Sequence, residues 1–245
     1  NIWAPYIIPF GNKYRLYYCV SAFGLKTSYI GLAESASPEG PWMQRGCVVK
    51  TDATSVMNAI DPSIIADSAT GKWWMHYGSF FGGLYCVELN PETGLPVQEG
   101  DQGHLIARRA TYWKDNLEAP EIIYNPELKQ YYLFVSYDPL MTTYNVRVGR
   151  SDKAEGPFVD YFGVELKDTT NNFPILTAPY RFNNHPGWAG TAHCAVFTSD
   201  EGQYFMAHQG RLSPHNQMMD IHLRQVFFTS DGWPLVSPAR YTGCA

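Results

Sequence analysis

A hairpin pattern occurs four times in this chain and leaves few folds open to it. Residues 5–18 read PYIIPFGNKYRLYY, 62–77 PSIIADSATGKWWMHY, 120–135 PEIIYNPELKQYYLFV and 194–208 CAVFTSDEGQYFMAH. Each copy is a short apolar strand, a polar turn with Gly, Asn, Asp or Pro, then an aromatic-rich strand. The anchors Tyr14, Trp73, Tyr131 and Tyr204 stand 59, 58 and 73 residues apart. A second repeat supports the first, since IGLAESASPEGPW at 30–42 resembles VRVGRSDKAEGPF at 146–158. Each unit therefore holds about four strands. Four-stranded units at this period predict an all-β β-propeller, a ring of sheets around a central channel.

The remaining strand-like runs agree. They cover Tyr14–Ser21, Tyr29–Ala33, Cys47–Lys50, Ile64–Ala66, Trp73–Tyr77, Leu84–Leu89, Ile122–Tyr124, Tyr131–Tyr137, Tyr144–Gly149, Ala195–Thr198, Tyr204–His208 and Ile221–Thr229. Turn clusters separate them at SPEGP (37–41), NPETG (90–94), NPE (125–127), SDEG (199–202) and SDG (230–232). The 245 residues suffice for one large propeller domain over 1–245. A net charge of -5 without a basic run argues against nucleic acid and anionic membranes as partners. No apolar stretch approaches the roughly 18–20 residues that span a bilayer. Aromatics at 15% suit strands and also stacking on sugar rings. Cys19, Cys47, Cys86, Cys194 and Cys244 are scattered without a CxxC pair, so buried free thiols are expected and a zinc cluster is not.

The residues leading into the four copies are Trp3, Asp61, Glu118 and His193. If the first strand of each copy lines the channel, these four converge on one central site. Asp61 and Glu118 each lead into a Pro-x-Ile-Ile strand. Two carboxylates across a narrow channel are pushed to different pKa values, which suits an acid and its partner in glycoside hydrolysis. Read singly, Asp61 is a turn Asp before Pro and Glu118 a strand-end surface residue. Trp3, read either as core or as a sugar platform, stands in WAP, and Phe23 and Phe80–Phe81 lie in the Gly-flanked loops SAFG and GSFFGG. Asn58 and Ser79 are candidates to bond sugar hydroxyls. His193 is either a core histidine or a channel residue, and a single His would hold only a largely hydrated ion.

WAPYI, SAFGLKTSYIGLA, NAIDPSIIAD, GSFFGGLY, EAPEIIYN and DGWPLVSPARY together resemble glycoside hydrolase family 43, and most of all its endo-1,5-α-L-arabinanases. The resemblance runs along essentially the whole chain. It implies a five-bladed propeller and inverting cleavage of α-1,5-linked arabinan. Matched by motif, it makes Glu118 the general acid and Asp61 the aspartate that tunes and orients that acid. His193 matches a channel histidine facing a hydrated calcium or similar ion. Trp3, Phe23, Asn58, Ser79 and Phe80 match sugar-contacting positions. It also implies a monomer and an exported protein, secreted or periplasmic.

Three departures accompany it. The family's general-base Asp belongs to a blade before WAP, so a chain starting two residues before Trp3 is expected to hold about four blades and to lack that base. Tyr6 stands where many relatives have Asp after WAP. Ala192-His193-Cys194-Ala195 replaces the Gly-His-Asn-Ser of many relatives. Two other readings stay open. One is a β-xylosidase or α-L-arabinofuranosidase of the same family. The other is a non-catalytic, four-bladed carbohydrate-binding propeller.

Overall fold

The computed structural model describes residues 1–109, 116–168, 174–181, 184–215 and 217–243. The described residues form four antiparallel sheets in chain order. The first holds β1 (Ile2–Phe10), β2 (Lys13–Val20), β3 (Ser28–Ser35) and β4 (Met43–Thr51). The second holds β5 (Ser63–Ala66), β6 (Trp73–Tyr77), β7 (Leu84–Leu89) and β8 (His104–Ala107). The third holds β9 (Leu117–Asn125), β10 (Gln130–Tyr137), β11 (Asn145–Ser151) and β12 (Ile175–Thr177). In the fourth the inner edge is split. β13 (Trp188–Ala189) and β14 (Ala195–Thr198) both pair with β15 (Tyr204–Leu212), which is followed by β16 (Met219–Phe228) and β17 (Pro234–Val236).

Every predicted hairpin is a strand pair. The turns work as their residues require. Gly11, at φ 57, opens the two-residue turn between β1 and β2. The Asn90 and Asn125 side chains accept backbone N–H groups two and three residues on, closing the NPETG and NPE turns. The two EGP segments also match, because each holds a cis Gly-Pro bond, at Gly40–Pro41 and Gly156–Pro157. β8, β12, β13 and β17 are not among the strands read from the sequence, and all four are only two to four residues long.

The inner strands β1, β5, β9 and β14 pack on one another in that order, which makes the sheets four blades of a propeller. Side chains alternate along the strands. In β2, Arg15, Tyr17 and Cys19 are buried while their neighbours are partly exposed. The buried side chains form three apolar clusters, one between each pair of consecutive blades. Cys19, Cys86 and Cys194 are buried free thiols as expected. Cys47 is exposed instead, because β4 is the outer edge strand and Cys47 points to solvent. Cys244 lies outside the described residues.

One charge stands among these apolar seams. Arg15 is fully buried. Its Nε meets Glu34 Oε1 at 3.1 Å. Its Nη1 donates to the Pro91 carbonyl at 2.6 Å and its Nη2 to the Glu92 carbonyl. The guanidinium lies 3.5 Å from the Phe10 ring centroid and 5.2 Å from that of Trp73. Blade 1 is thereby fastened to the outer loop of blade 2. Arg15→Met is expected to destabilise the fold by about 3 kcal/mol, because two carbonyls lose their donor and Glu34 loses a buried partner. Urea unfolding followed by tryptophan fluorescence measures it, and an unchanged midpoint would remove this role.

Candidate active site

The inner strands enter the ring by a shared irregularity. In β1, Trp3 pairs with Cys19 and Tyr6 with Tyr17, so Ala4–Pro5 bulge against a single residue. In β9, Glu118 pairs with Ser136 and Glu121 with Phe134, so Ala119–Pro120 bulge in the same way. In blade 2 the Ile60 carbonyl accepts from Gly78, and in blade 4 the Ala192 carbonyl accepts from Gln209. Ala4, Asp61, Ala119 and His193 are then the matching positions, and all four are left-handed, with φ of 29, 56, 52 and 53. Asp61 and His193 stand on the kink itself, whereas Trp3 and Glu118 precede it. The four lead-in residues are therefore staggered by one position.

The bulge in β9 has a chemical result. Glu118 and Glu121 face the same side of the sheet although they stand three positions apart, since their partners on β10 are two apart. Glu118 Oε2 accepts from Ser79 Oγ at 2.8 Å and its Oε1 from the Tyr144 hydroxyl at 2.7 Å. Blades 2 and 3 thus hold this carboxylate from both sides. Asp61 Oδ2 accepts from the Ala119 N–H at 3.2 Å, directly beside Glu118. Burial holds the Asp61 carboxyl well above the usual carboxylate range, with His193 pulling it down and the Glu118 charge pushing it further up.

Glu121 forms a deeper layer. Its Oε2 accepts from Ser63 Oγ at 2.8 Å and its Oε1 from the Val196 N–H at 3.0 Å, so it ties β9 to β5 and to β14. Burial pushes its carboxyl up to about 7, against the pull of those two donors. Tyr6 reaches the same Ser63 from β1. Tyr6, Ser63 and Glu121 are the variable residues of the three Pro-x-Ile-Ile copies, so the repeat itself held the signal for them. Tyr144 carried no such signal.

Of these groups Tyr6, Asp61 and Glu121 border a cavity of about 510 Å³, and Glu118 is not among its lining residues. Ala4, Asp61, Ala119, Glu121 and His193 line it together with Met219 and Ile221 of blade 4. His193 is exposed to it, and its N–H is held by Ser136 Oγ at 2.9 Å. Other expected residues sit differently. Trp3 packs half-buried against the core between blades 1 and 2. Asn58 is buried, with its carbonyl accepting from Ser28. Ser79 is engaged with Glu118. Phe23, 84% exposed, is free to stack. Phe80 and Phe81 are half-buried at φ 48 and 40, in a loop whose Gly82 lies so close to the Val56 carbonyl that a Cβ would meet it at 1.9 Å.

Comparison with known proteins gives this arrangement its place. The sequence profile of glycosyl hydrolases family 43 matches residues 1–234. The extracellular endo-α-(1→5)-L-arabinanase of Thermotoga petrophila is 30% identical over 278 residues, covering 99% of this chain and 58% of that protein. The extracellular exo-α-(1→5)-L-arabinofuranosidase ArbA of Cellvibrio japonicus is 32% identical, covering 96% of this chain and 70% of that protein. The crystal structure of the endo-1,5-α-L-arabinanase from Thermotoga petrophila RKU-1 superposes with a TM-score of 0.91 at 29% identity, covering 100% of this chain and 61% of that one. The chain belongs to glycosyl hydrolases family 43. It spans about three fifths of the first of these relatives.

The raised carboxyl of Glu121 has a consequence for stability. Its folded pKa of about 7 lies above the unfolded value of about 4.5, so folding favours its neutral form. Its contribution is full below pH 4.5 and is lost as pH rises through 7. Replacing it with Gln is expected to remove up to about 3 kcal/mol of that pH dependence. Unfolding free energies of parent and Glu121→Gln across this window isolate the effect from other titrating groups. Parallel curves would show that Glu121 does not titrate there.

Proposed function

We propose that this chain is the catalytic propeller of an exported arabinan hydrolase, with Glu118 as its general acid. One observation carries the reading. The Glu118 carboxyl is gripped by Ser79 and Tyr144, and a second carboxyl, that of the cavity-lining Asp61, holds the next residue of the same strand. That is the acid side of a glycosidase site, in which a carboxylic acid protonates the departing sugar oxygen. Asp61 orients the acid through the Ala119 N–H, and its charge couples to that of Glu118. In an inverting reaction a base carboxylate stands about 6.5–9.5 Å from the acid and activates water. Inversion is the course the resemblance favours.

The relatives support arabinan as substrate. A solved relative from Cellvibrio cellulosa is an α-L-arabinanase complexed with arabinohexaose, 31% identical to this chain with a TM-score of 0.82. Phe23 and Phe80 offer apolar faces to furanose rings. Relatives described as extracellular support export. The match to an exo-acting relative makes terminal cleavage the second reading, and product sizes from linear arabinan separate the two.

A hydrated calcium or similar divalent ion beside His193 completes the proposal. Among the described residues no three His, Cys, Asp or Glu side chains group as a direct chelate. The donor set fits an ion held mostly by water, with one exposed imidazole and the Asp61 and Glu121 carboxyls on one cavity wall. When bound, it would supply positive charge to the cavity.

Glu118→Gln is expected to lower the release of arabino-oligosaccharides about 10²–10⁴-fold. Undiminished release by that variant would overturn the acid assignment. Phe23→Ala is expected to raise KM on linear arabinan by about two- to tenfold with kcat held, the loss of one stacking contact. Steady-state kinetics measures it, and an unchanged KM would take Phe23 out of the binding surface.

A further inference from the structure

A second charged network stands behind Glu118, outside the residues assigned so far. Asp138 ends the run after β10 at φ 72. Its Oδ1 accepts from Arg109 Nη1 at 2.6 Å and its Oδ2 from Asn145 Nδ2 at 2.7 Å. The Asp138 N–H donates to the Asn116 carbonyl at 3.2 Å, and Arg109 Nη1 donates to the same carbonyl at 3.4 Å. Asn116 is itself left-handed, at φ 43, and lies two residues before Glu118. Asn145 directly follows Tyr144, whose hydroxyl holds Glu118 Oε1. Arg147 Nε donates to Asn145 Oδ1 at 3.0 Å, and the Arg109 guanidinium lies 4.5 Å from the Tyr137 ring centroid.

Magnitudes separate two uses for this network. The Arg109 and Asp138 side chains are 22% and 23% exposed, and an ion pair of that exposure adds about 0–1 kcal/mol to stability. Its bonds, however, end on the two segments that place the Glu118 carboxyl. One segment carries the acid and the other carries its hydroxyl donor. A displacement of about 1 Å in such a group costs about a hundredfold in rate.

We propose that Arg109 and Asp138 are positioning residues, which fix the Asn116–Glu118 turn and the Tyr144 hydroxyl and so aim the acid. The inference rests on Glu118 being the acid. It marks a fork between blades 2 and 3, since Arg109 follows β8 and, among the described residues, its partners Asn116, Tyr137 and Asp138 belong to blade 3.

The test compares two substrates with the full chain. Linear arabinan needs a proton on its leaving oxygen, whereas a dinitrophenyl arabinotrioside releases a stable anion without one. Arg109→Met and Asp138→Ala are expected to lower kcat on arabinan by about ten- to a hundredfold, with KM within about twofold. On the dinitrophenyl substrate the loss is expected to stay below roughly threefold, and Arg109→Lys is expected to recover part of the arabinan rate. Equal losses on both substrates, or losses below roughly threefold on both, would overturn the proposal. Glu118→Gln is run beside them. It is expected to show the same split, and combining it with Arg109→Met is expected to add no further loss on arabinan. If Glu118→Gln cleaves arabinan like the parent, the acid assignment fails. If it shows the split and Arg109→Met does not, the positioning role alone fails.

Discussion

At the head of each inner strand one non-glycine residue turns into the left-handed region, and the centre of the molecule is organised around that turn. Ala4, Asp61, Ala119 and His193 each adopt a conformation that costs an ordinary residue about 1–2 kcal/mol. Three of the four precede Pro, which has no N–H and cannot extend the ladder at that point. The kinked residues are tied to neighbouring chain segments. Asp61 accepts the N–H of Ala119, and Ser136 accepts the N–H of His193. Local strain in one blade is thus offset by hydrogen bonds to the next segment around the ring.

This turn explains what was legible in the sequence and what was not. Repeated hairpins, their turns and the four-blade architecture could be read from periodicity, because each copy keeps the same alternation and the same turn chemistry. The stagger between Glu118 and Asp61 could not. Periodicity reports which residues recur, not the handedness of one backbone angle. Glu121 was in plain sight as the third residue after Glu118. Ordinary alternation would send it to the opposite face, and the bulge at Ala119–Pro120 reverses that. Tyr144 reads as the start of a strand, since its partner lies 26 residues away and is met only in the folded chain. The sequence reads Ser79 as a sugar contact, and its place beside Glu118 depends on the bridge between Ser79 and Glu118 across two blades.

Between the blades, apolar side chains and polar fasteners divide the work. The three clusters exclude water but specify little about rotation of one sheet against the next. Arg15, with its two carbonyl acceptors and its aromatic neighbours, is directional and sets one such rotation. Glu121 does the same at the centre, where one carboxyl reaches Ser63 on one side and Val196 on the other. Long-range order in this fold therefore rests on a few buried polar groups whose partners are 58 to 77 residues away.

That spacing has a kinetic side. Each sheet can form from local hairpins, yet the Glu118 carboxyl finds Ser79 only when blades 2 and 3 meet, and Glu121 finds Val196 only when blade 4 arrives. Blade 3 formed by itself holds Glu118 by the Tyr144 hydroxyl alone and leaves Glu121 without Ser63 and Val196. During refolding, secondary structure should consequently return well before the central geometry, with the docking of separate sheets as the slow, concentration-independent step between them. The centre of the ring acts as a timer that reads zero until the last seam closes.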